Sequence, residues 1–396
     1  MTDLSRLVDT SHVAICCGTG GVGKTTTAAA LAIEGARRGR NTVVVTIDPA
    51  KRLANALGLD ELSNAPHAIP RARWDRDGRA RPGGHLHALM LDTKTTFDQL
   101  VVKYALSDEQ SAQILENRFY RNIAGALSGT QEYMAMEKLY ELHDAGTFDL
   151  IVVDTPPTRH ALDFLDAPNR LTRLLDHRVF RFFIVPTRAT LRVGSRAAQA
   201  FLRPIARVVG SEAVDDVIAF FRAFEGMEEG FRERAAAVNA LLASSETKFV
   251  LVTSPRRDAV EEAEFFAGRL AEGAYAVDAL VVNRVHDHYC SISPDVLRER
   301  AAQLASVDRA VVDSPETAAR ARLADRYADL AELEEIATRE RAELAGLEER
   351  VASASIVHVP ELGHDVHDFD ALGAVAAHLV AGTAPGRDGS ASVPDR

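Results

Sequence analysis

Short apolar runs rich in β-branched residues recur along the chain, separated by longer stretches with helical spacing. They are HVAICC at 12–17, TVVVTI at 42–47, LHALML at 86–91, DLIVVD at 149–154, KFVLVT at 248–253, ALVVN at 279–283 and SIVHV at 355–359. Each is apolar nearly throughout instead of alternating, which is the pattern of a strand covered on both faces. Strands of this kind separated by helices predict an α/β fold, a mainly parallel sheet of about seven strands wrapped by helices.

Residues 94–146 have helical spacing and are too long for a plain crossover; with 163–243 they predict a helical subdomain. The second segment carries Phe180, Phe182, Phe183, Phe220, Phe221, Phe224 and Phe231. At helical spacing these read first as core, and a hydrophobic groove for an apolar client is the alternative. Residues 291–350 predict a helical hairpin insertion, with Ser314 as N-cap and Pro315 at the first helical position. From there Leu323, Leu330, Leu333, Ala337, Leu344, Leu347 and Val351 make a narrow apolar stripe that packing within the same chain explains. The stretch 66–84 reads as a surface loop and 383–396 as a disordered tail, which leaves 1–382 as a single domain.

Composition narrows the function. Of 396 residues, 46% are hydrophobic and 26% charged, with a net charge of -11. That balance argues against a nucleic-acid partner and for a small molecule or a protein, although RARWDRDGRARPGG is locally basic. The 3 cysteines, Cys16, Cys17 and Cys290, build neither a disulfide framework nor a CxxC metal clip. With no signal-like N-terminus and no apolar run approaching about 18 residues, the expectation is a cytoplasmic protein that does not span a membrane.

The candidate chemistry begins in HVAICCGTGGVGKTTTAAALAIEG. Gly18, Gly23, Lys24 and Thr25 satisfy G-x-x-x-x-G-K-[ST] between a strand and an alanine-rich helix, the context that gives this motif its meaning. Glycines let the backbone curl so that its N–H groups face a phosphate, and the helix N-terminus adds a positive dipole end. Lys24 would place a charge between the β- and γ-phosphates, and the Thr25 hydroxyl would ligate Mg²⁺. Asp154 ends a fully apolar run, where ligand-facing carboxylates sit in parallel sheets and where a magnesium shell needs one. Asp48, in TIDPA, fits either an exposed Asp-Pro turn or a carboxylate that orients water. His286, His288 and Cys290 alternate in VHDHYC and are ligand types that suit zinc. No fourth ligand lies nearby, and surface histidines in a loop are the competing reading.

Together these motifs resemble the family of arsenite-pump and tail-anchored-protein-targeting ATPases. That family's pattern is a G-K-G-G-V-G-K-T loop, a T-D-P-A first switch and a D-T-A-P-T-G-H-T-L second switch. Here the equivalents are GTGGVGKT, TIDPAKRLANALGL and DTPPTRHALDFLDAP, and VVNR and VHVPELGHDVHDFDAL carry the similarity to about residue 380. The paired cysteines, GTQEYMAMEKL and the late insertion look most like an actinobacterial branch whose members work as unlike pairs. The resemblance implies ATP or ADP and Mg²⁺ as cofactors. Gly20, Gly21, Val22, Gly23, Lys24, Thr25 and Thr26 would hold phosphates and magnesium. Lys24 and Asp48 would be catalytic, Asp48 by positioning the hydrolytic water, and Asp154 would act on the magnesium through water. Asn283 and Pro360 would contact the adenine, with a turn residue as the other reading of Asn283.

Three departures qualify the resemblance. Thr19 stands where the family's loop has a lysine that reaches across a dimer to the partner's phosphates, and such a charge is worth roughly 10³ to 10⁵ in rate. The CxxC zinc clip of the targeting branch has no counterpart, so no zinc clip is expected. The cysteines that arsenite binding requires are also missing. The implied function is a Mg-dependent ATPase that closes and opens as a homo- or heterodimer, with a lysine supplied by a related subunit. The alternatives are a nucleotide-binding regulatory or scaffold subunit, or the motor subunit of an anion or arsenical efflux pump. A hydrophobic client or a membrane-protein partner would fit any of these.

Overall fold

The parallel strands expected from the apolar runs all form in the computed structural model, which describes residues 3–47, 52–59, 61–123, 130–156, 161–176, 211–306, 315–363 and 365–381. They are β1 (Val13–Cys17), β2 (Asn41–Thr46), β4 (His85–Met90), β5 (Leu150–Asp154), β6 (Thr247–Thr253), β7 (Val277–Val285) and β8 (Ser355–Pro360). One more, β3 (His67–Ile69), makes an 8-stranded sheet of order β3-β4-β2-β5-β1-β6-β7-β8. Only β3 runs antiparallel, against β4. It lies in the stretch read as surface loop, because three residues are too few to show a period and the Arg, Pro and Gly around them dominate the composition. That stretch also holds a short helix, α4 (Arg71–Trp74), whose Trp74 is 1% exposed and donates from its indole to the Ile69 carbonyl at 3.2 Å.

The unbroken apolar runs are explained by two cores, one on each face of the sheet. Along β1, Val13, Ile15 and Cys17 belong to one core, and Ala14 and Cys16 to the other. The second core is covered by α1 (Asp3–Thr10), α2 (Lys24–Arg37) and the C-terminal helix Phe369–Ala381. The alanines of α2 let it lie close on the strands. At Gly35 an added Cβ would come within 2.7 Å of Leu150 Cδ2 and 2.8 Å of Thr42 Oγ1.

Between β2 and α4 lies α3 (Arg52–Ala56). The first core is covered by α5 (Thr93–Tyr104), α6 (Asp108–Glu116), α7 (Arg118–Ile123), α8 (Thr130–Asp144), α9 (Ala161–Asp176), α10 (Ser211–Ala223) and α11 (Glu228–Leu242). Most of the described residues of segments 94–146 and 163–243 lie in this helical layer. Phe220, Phe224 and Phe231 are buried in it, with Phe224 and Phe231 stacked at 5.2 Å between centroids. Phe180, Phe182 and Phe183 lie outside the described residues. Glu137 on α8, 1% exposed, accepts from Tyr133 Oη at 2.5 Å and from Arg234 Nε of α11 at 2.7 Å. The Arg234 guanidinium also lies 3.9 Å from the Tyr140 ring centroid. A buried charge is tolerable here because every partner is present.

The late insertion is a hairpin of α13 (Pro294–Ala305) and α14 (Pro315–Arg350), following α12 (Arg257–Glu272). The tail at 383–396 and the Ser314 cap lie outside the described residues. The buried stripe of α14 is Ala324, Ala331, Glu334, Ala337, Leu344 and Leu347, whereas Leu323 is 45% exposed. Over 36 residues a straight helix drifts from a heptad pattern. One end meets α13, through Arg298 and Glu335, and the other meets α12, where an added Cβ at Gly346 would lie 3.2 Å from Glu264 Oε1. The chain resumes with the C-terminal helix as α15 (Phe369–Ala381).

Candidate functional site

Strand order places the site. From β1 the chain crosses to β2 on one side, while β6 to β8 extend the sheet on the other, so the connections diverge at the carboxyl end of β1. That divergence leaves a crevice where parallel sheets bind ligands. The loop after β1 has positive φ at Gly18 (144°), Gly21 (80°) and Gly23 (96°), and it feeds α2 directly. Gly18 is confined as well as twisted, since a Cβ there would sit 2.1 Å from the Val252 carbonyl oxygen. Gly20 and Gly21 are exposed on the loop, Val22 is buried, and Gly23, Thr25 and Thr26 are half-buried.

Lys24, 5% exposed, folds back on the loop and donates from Nζ to the Thr19 carbonyl at 2.7 Å. The Thr25 hydroxyl donates to Asp154 Oδ2 at 2.8 Å, and Thr46 Oγ1 reaches the same oxygen at 3.0 Å. The sheet register makes this convergence, for Asp154 sits beside Cys16 on one neighbouring strand and Thr46 on the other. Thr155, buried, donates to the Cys16 carbonyl at 2.8 Å and holds the end of β5 to β1. Asp48 lies outside the described residues, but its neighbour Ile47 is tied to α8 by Gln131 Nε2 at 2.9 Å. Thr46, Thr155 and Gln131 were not singled out from sequence. Each nevertheless lies in a quoted stretch that could have flagged it: Thr46 two positions before Asp48 in TIDPA, Thr155 directly after Asp154 in DTPPTRHALDFLDAP, and Gln131 in GTQEYMAMEKL.

Asn283 is brought to the loop, where its Nδ2 donates to the Val22 carbonyl at 2.9 Å. Pro360 ends β8 beside Val285. Between them the strands bulge at Arg284, whose φ is 63°. A cavity of about 240 Å³ opens there, lined by Thr19, Gly21, Val22, Ser254, Arg284 and Glu361. The residues immediately after Asn283 and Pro360 thus line the cavity, while the Asn283 amide is engaged with the loop.

Cys16 and Cys17 are fully buried thiols. Burial pushes Cys17 up to about 12 and Cys16 well above the usual thiol range, with Asp154 adding to the shift at Cys16. Both lie in β1 beneath the phosphate loop, out of reach of solvent. His286, His288 and Cys290 do not converge on one point. His286 pairs with Glu340 at 2.8 Å and His288 with Glu334 at 2.7 Å, while the Tyr289 and Cys290 amides donate to Glu334 at 2.6 and 3.0 Å. The segment is a loop pinned to α14, so the alternation that would align the three on an extended strand does not apply.

A parallel sheet whose first strand runs through a left-handed glycine loop into a helix, beside a strand ending in a carboxylate, defines the P-loop nucleotide-binding fold. The model of a family described as anion-transporting ATPases matches residues 11–315, and the chain belongs to that family. Among its relatives, an ATPase ASNA1 homolog from Cryptosporidium parvum is 26% identical over 68% of this chain and 63% of its own length. The ATPase get3 of Schizosaccharomyces japonicus is 28% identical over 40% of this chain and 44% of its own. That of Aspergillus terreus is 29% identical over 40% and 43%. The chain therefore spans less than two thirds of the length of these curated relatives. No helix among the described residues is long and apolar enough to cross a membrane.

Proposed function

We propose that the chain is a Mg-dependent ATPase that works as a dimer closing on ATP and opening after hydrolysis. The observation that carries this reading is the meeting of Thr25 and Asp154 at 2.8 Å beside a helix N-terminus fed by glycines at positive φ. A carboxylate and a hydroxyl aimed at one point are a hard-oxygen donor set that suits magnesium, and the curled loop fits phosphates. Gly20, Gly21, Val22, Gly23, Lys24, Thr25 and Thr26 would hold the nucleotide's phosphates. Thr25 would ligate the magnesium ion and Asp154 would hold it through water. Bound there, magnesium neutralises charge on the β- and γ-oxygens. Lys24 would leave the Thr19 carbonyl to place its ammonium on the phosphates, and Asp48 would orient the attacking water. Asn283 and Pro360 would stand at the base, next to the cavity lined by Arg284 and Glu361. The cytoplasm is the compartment that suits this chemistry.

Steady-state hydrolysis of Mg-ATP by the full chain, against Lys24→Ala, tests the reading. The expected outcome is loss of activity in the variant, and equal rates in both would sink it. A second reading rests on Thr19, which brings a hydroxyl where a lysine would reach a partner's phosphates. On that reading the chain is the poorly hydrolysing member of an unlike pair and a related subunit supplies the cation. Addition of that subunit should then raise the rate, and a partner-independent rate would count against it.

A further inference from the structure

Three side chains gather at the end of the sheet opposite the phosphate loop. His12 stands immediately before β1, Glu246 immediately before β6, and His143 in the last turn of α8. One ligand atom from each lies within 4.8 Å of the others. His143 Nε2 and Glu246 Oε2 are 3.3 Å apart, and the His12 and His143 rings have centroids 4.7 Å apart. A separation of roughly 3.3 Å is what two ligands about 2.0–2.1 Å from a tetrahedral zinc ion adopt.

The His12 end is built into the sheet and half-buried. The amides of His12 and Val13 both donate to the Glu246 carbonyl at 3.0 Å, and the His12 carbonyl accepts from Ile151 at 2.8 Å. His12 Nε2 is buried with no hydrogen-bond partner, while the ring bonds the Phe148 backbone. An imidazole that uses one nitrogen on a backbone carbonyl and presents the other is the usual form of a metal-ligating histidine. Glu246 is exposed and can swing inward to shorten the remaining gap.

We propose that His12, His143 and Glu246 bind a divalent transition-metal ion of the zinc class, with water completing the shell. Two imidazoles and one carboxylate suit zinc and disfavour magnesium or calcium, so this site is chemically separate from the phosphate loop. The ion would tie the end of α8 to the entrances of β1 and β6, linking helical layer to sheet.

The test uses the untagged full chain, freed of metal with EDTA and titrated with zinc sulfate at neutral pH. Affinity is read by competition with a chromogenic chelator, and stability by thermal unfolding. Saturable binding of one zinc ion per chain and a higher Tm are expected. His143→Asn and Glu246→Gln, both on the outer side of the cluster, should each weaken binding by at least about tenfold, a factor that losing even an outer partner of a ligand can produce. His286→Asn and His288→Asn should leave it unchanged. Absence of saturable binding, or an affinity unchanged from that of the native chain in the His143 and Glu246 variants, would overturn the proposal.

Discussion

Gly23 shows how a single position sets the geometry of the loop. Its φ of 96° belongs to the left-handed region, and an added Cβ would lie 2.2 Å from Asn283 Nδ2. Two penalties therefore apply to Gly23→Ala: backbone strain of roughly 1–3 kcal/mol and displacement of the amide that holds Val22. We expect the variant to lose at least about tenfold in nucleotide affinity, measured by equilibrium binding with Mg-ATP, since each 1.4 kcal/mol is a factor of ten. Gly23→Ala with Asn283→Ala should recover only part of the loss, because the second change frees space but leaves φ. Full recovery would show that the clash alone matters.

At the scale of elements, Glu334 fastens the loop after β7 to α14. It is buried, and burial by itself would raise its pKa. The His288 hydrogen bond and the Cys290 and Tyr289 amides outweigh that and hold it below the ordinary glutamate value. A carboxylate with a lowered folded pKa stabilises the fold above its unfolded pKa and loses that contribution as pH falls through the folded value. Glu334→Gln should accordingly lower Tm at pH 7, and the gap from the native chain should close as the pH drops below about 4.5, the ordinary Glu value. Thermal unfolding across that range is the check, and a gap independent of pH would mean that shape, not charge, holds the loop. The Glu137 and Arg234 pair does the same work between α8 and α11, but among aromatic rings instead of at a loop.

For the whole molecule, the proposed dimer needs a cation across its interface, and Thr19 does not supply one. The Lys24 ammonium is already bonded to the Thr19 carbonyl, so the backbone at that position serves the loop whatever the side chain is. Thr19→Lys should thus leave the loop fold intact and, if two copies face each other, raise the hydrolysis rate of the isolated chain. The scale of such a charge is roughly 10³-fold or more. An unchanged rate, with sedimentation showing a dimer, would place the cation on a different residue.

The sequence by itself determined the parallel α/β sheet, the phosphate loop and the helical layer, since each rests on local periodicity or on a motif of contiguous residues. Apolar runs at 149–154 and 248–253 read directly as buried strands because both faces are covered. Tertiary structure alone decided the rest. The antiparallel edge strand at 67–69 is too short to carry a period, and the burial of Trp74 comes from an indole packed under an arginine-rich segment. Which hydroxyls meet Asp154 follows from strand register, so Thr46 becomes part of the site only when β2 lies beside β5. The histidines at 286 and 288 have the right chemistry for a metal but go to two glutamates of α14, whereas His12, His143 and Glu246, more than 100 positions apart at each extreme, are assembled by the fold. Alternation along a chain brings ligands together only where the chain is extended, and distant residues meet only where strand order and helix length put them.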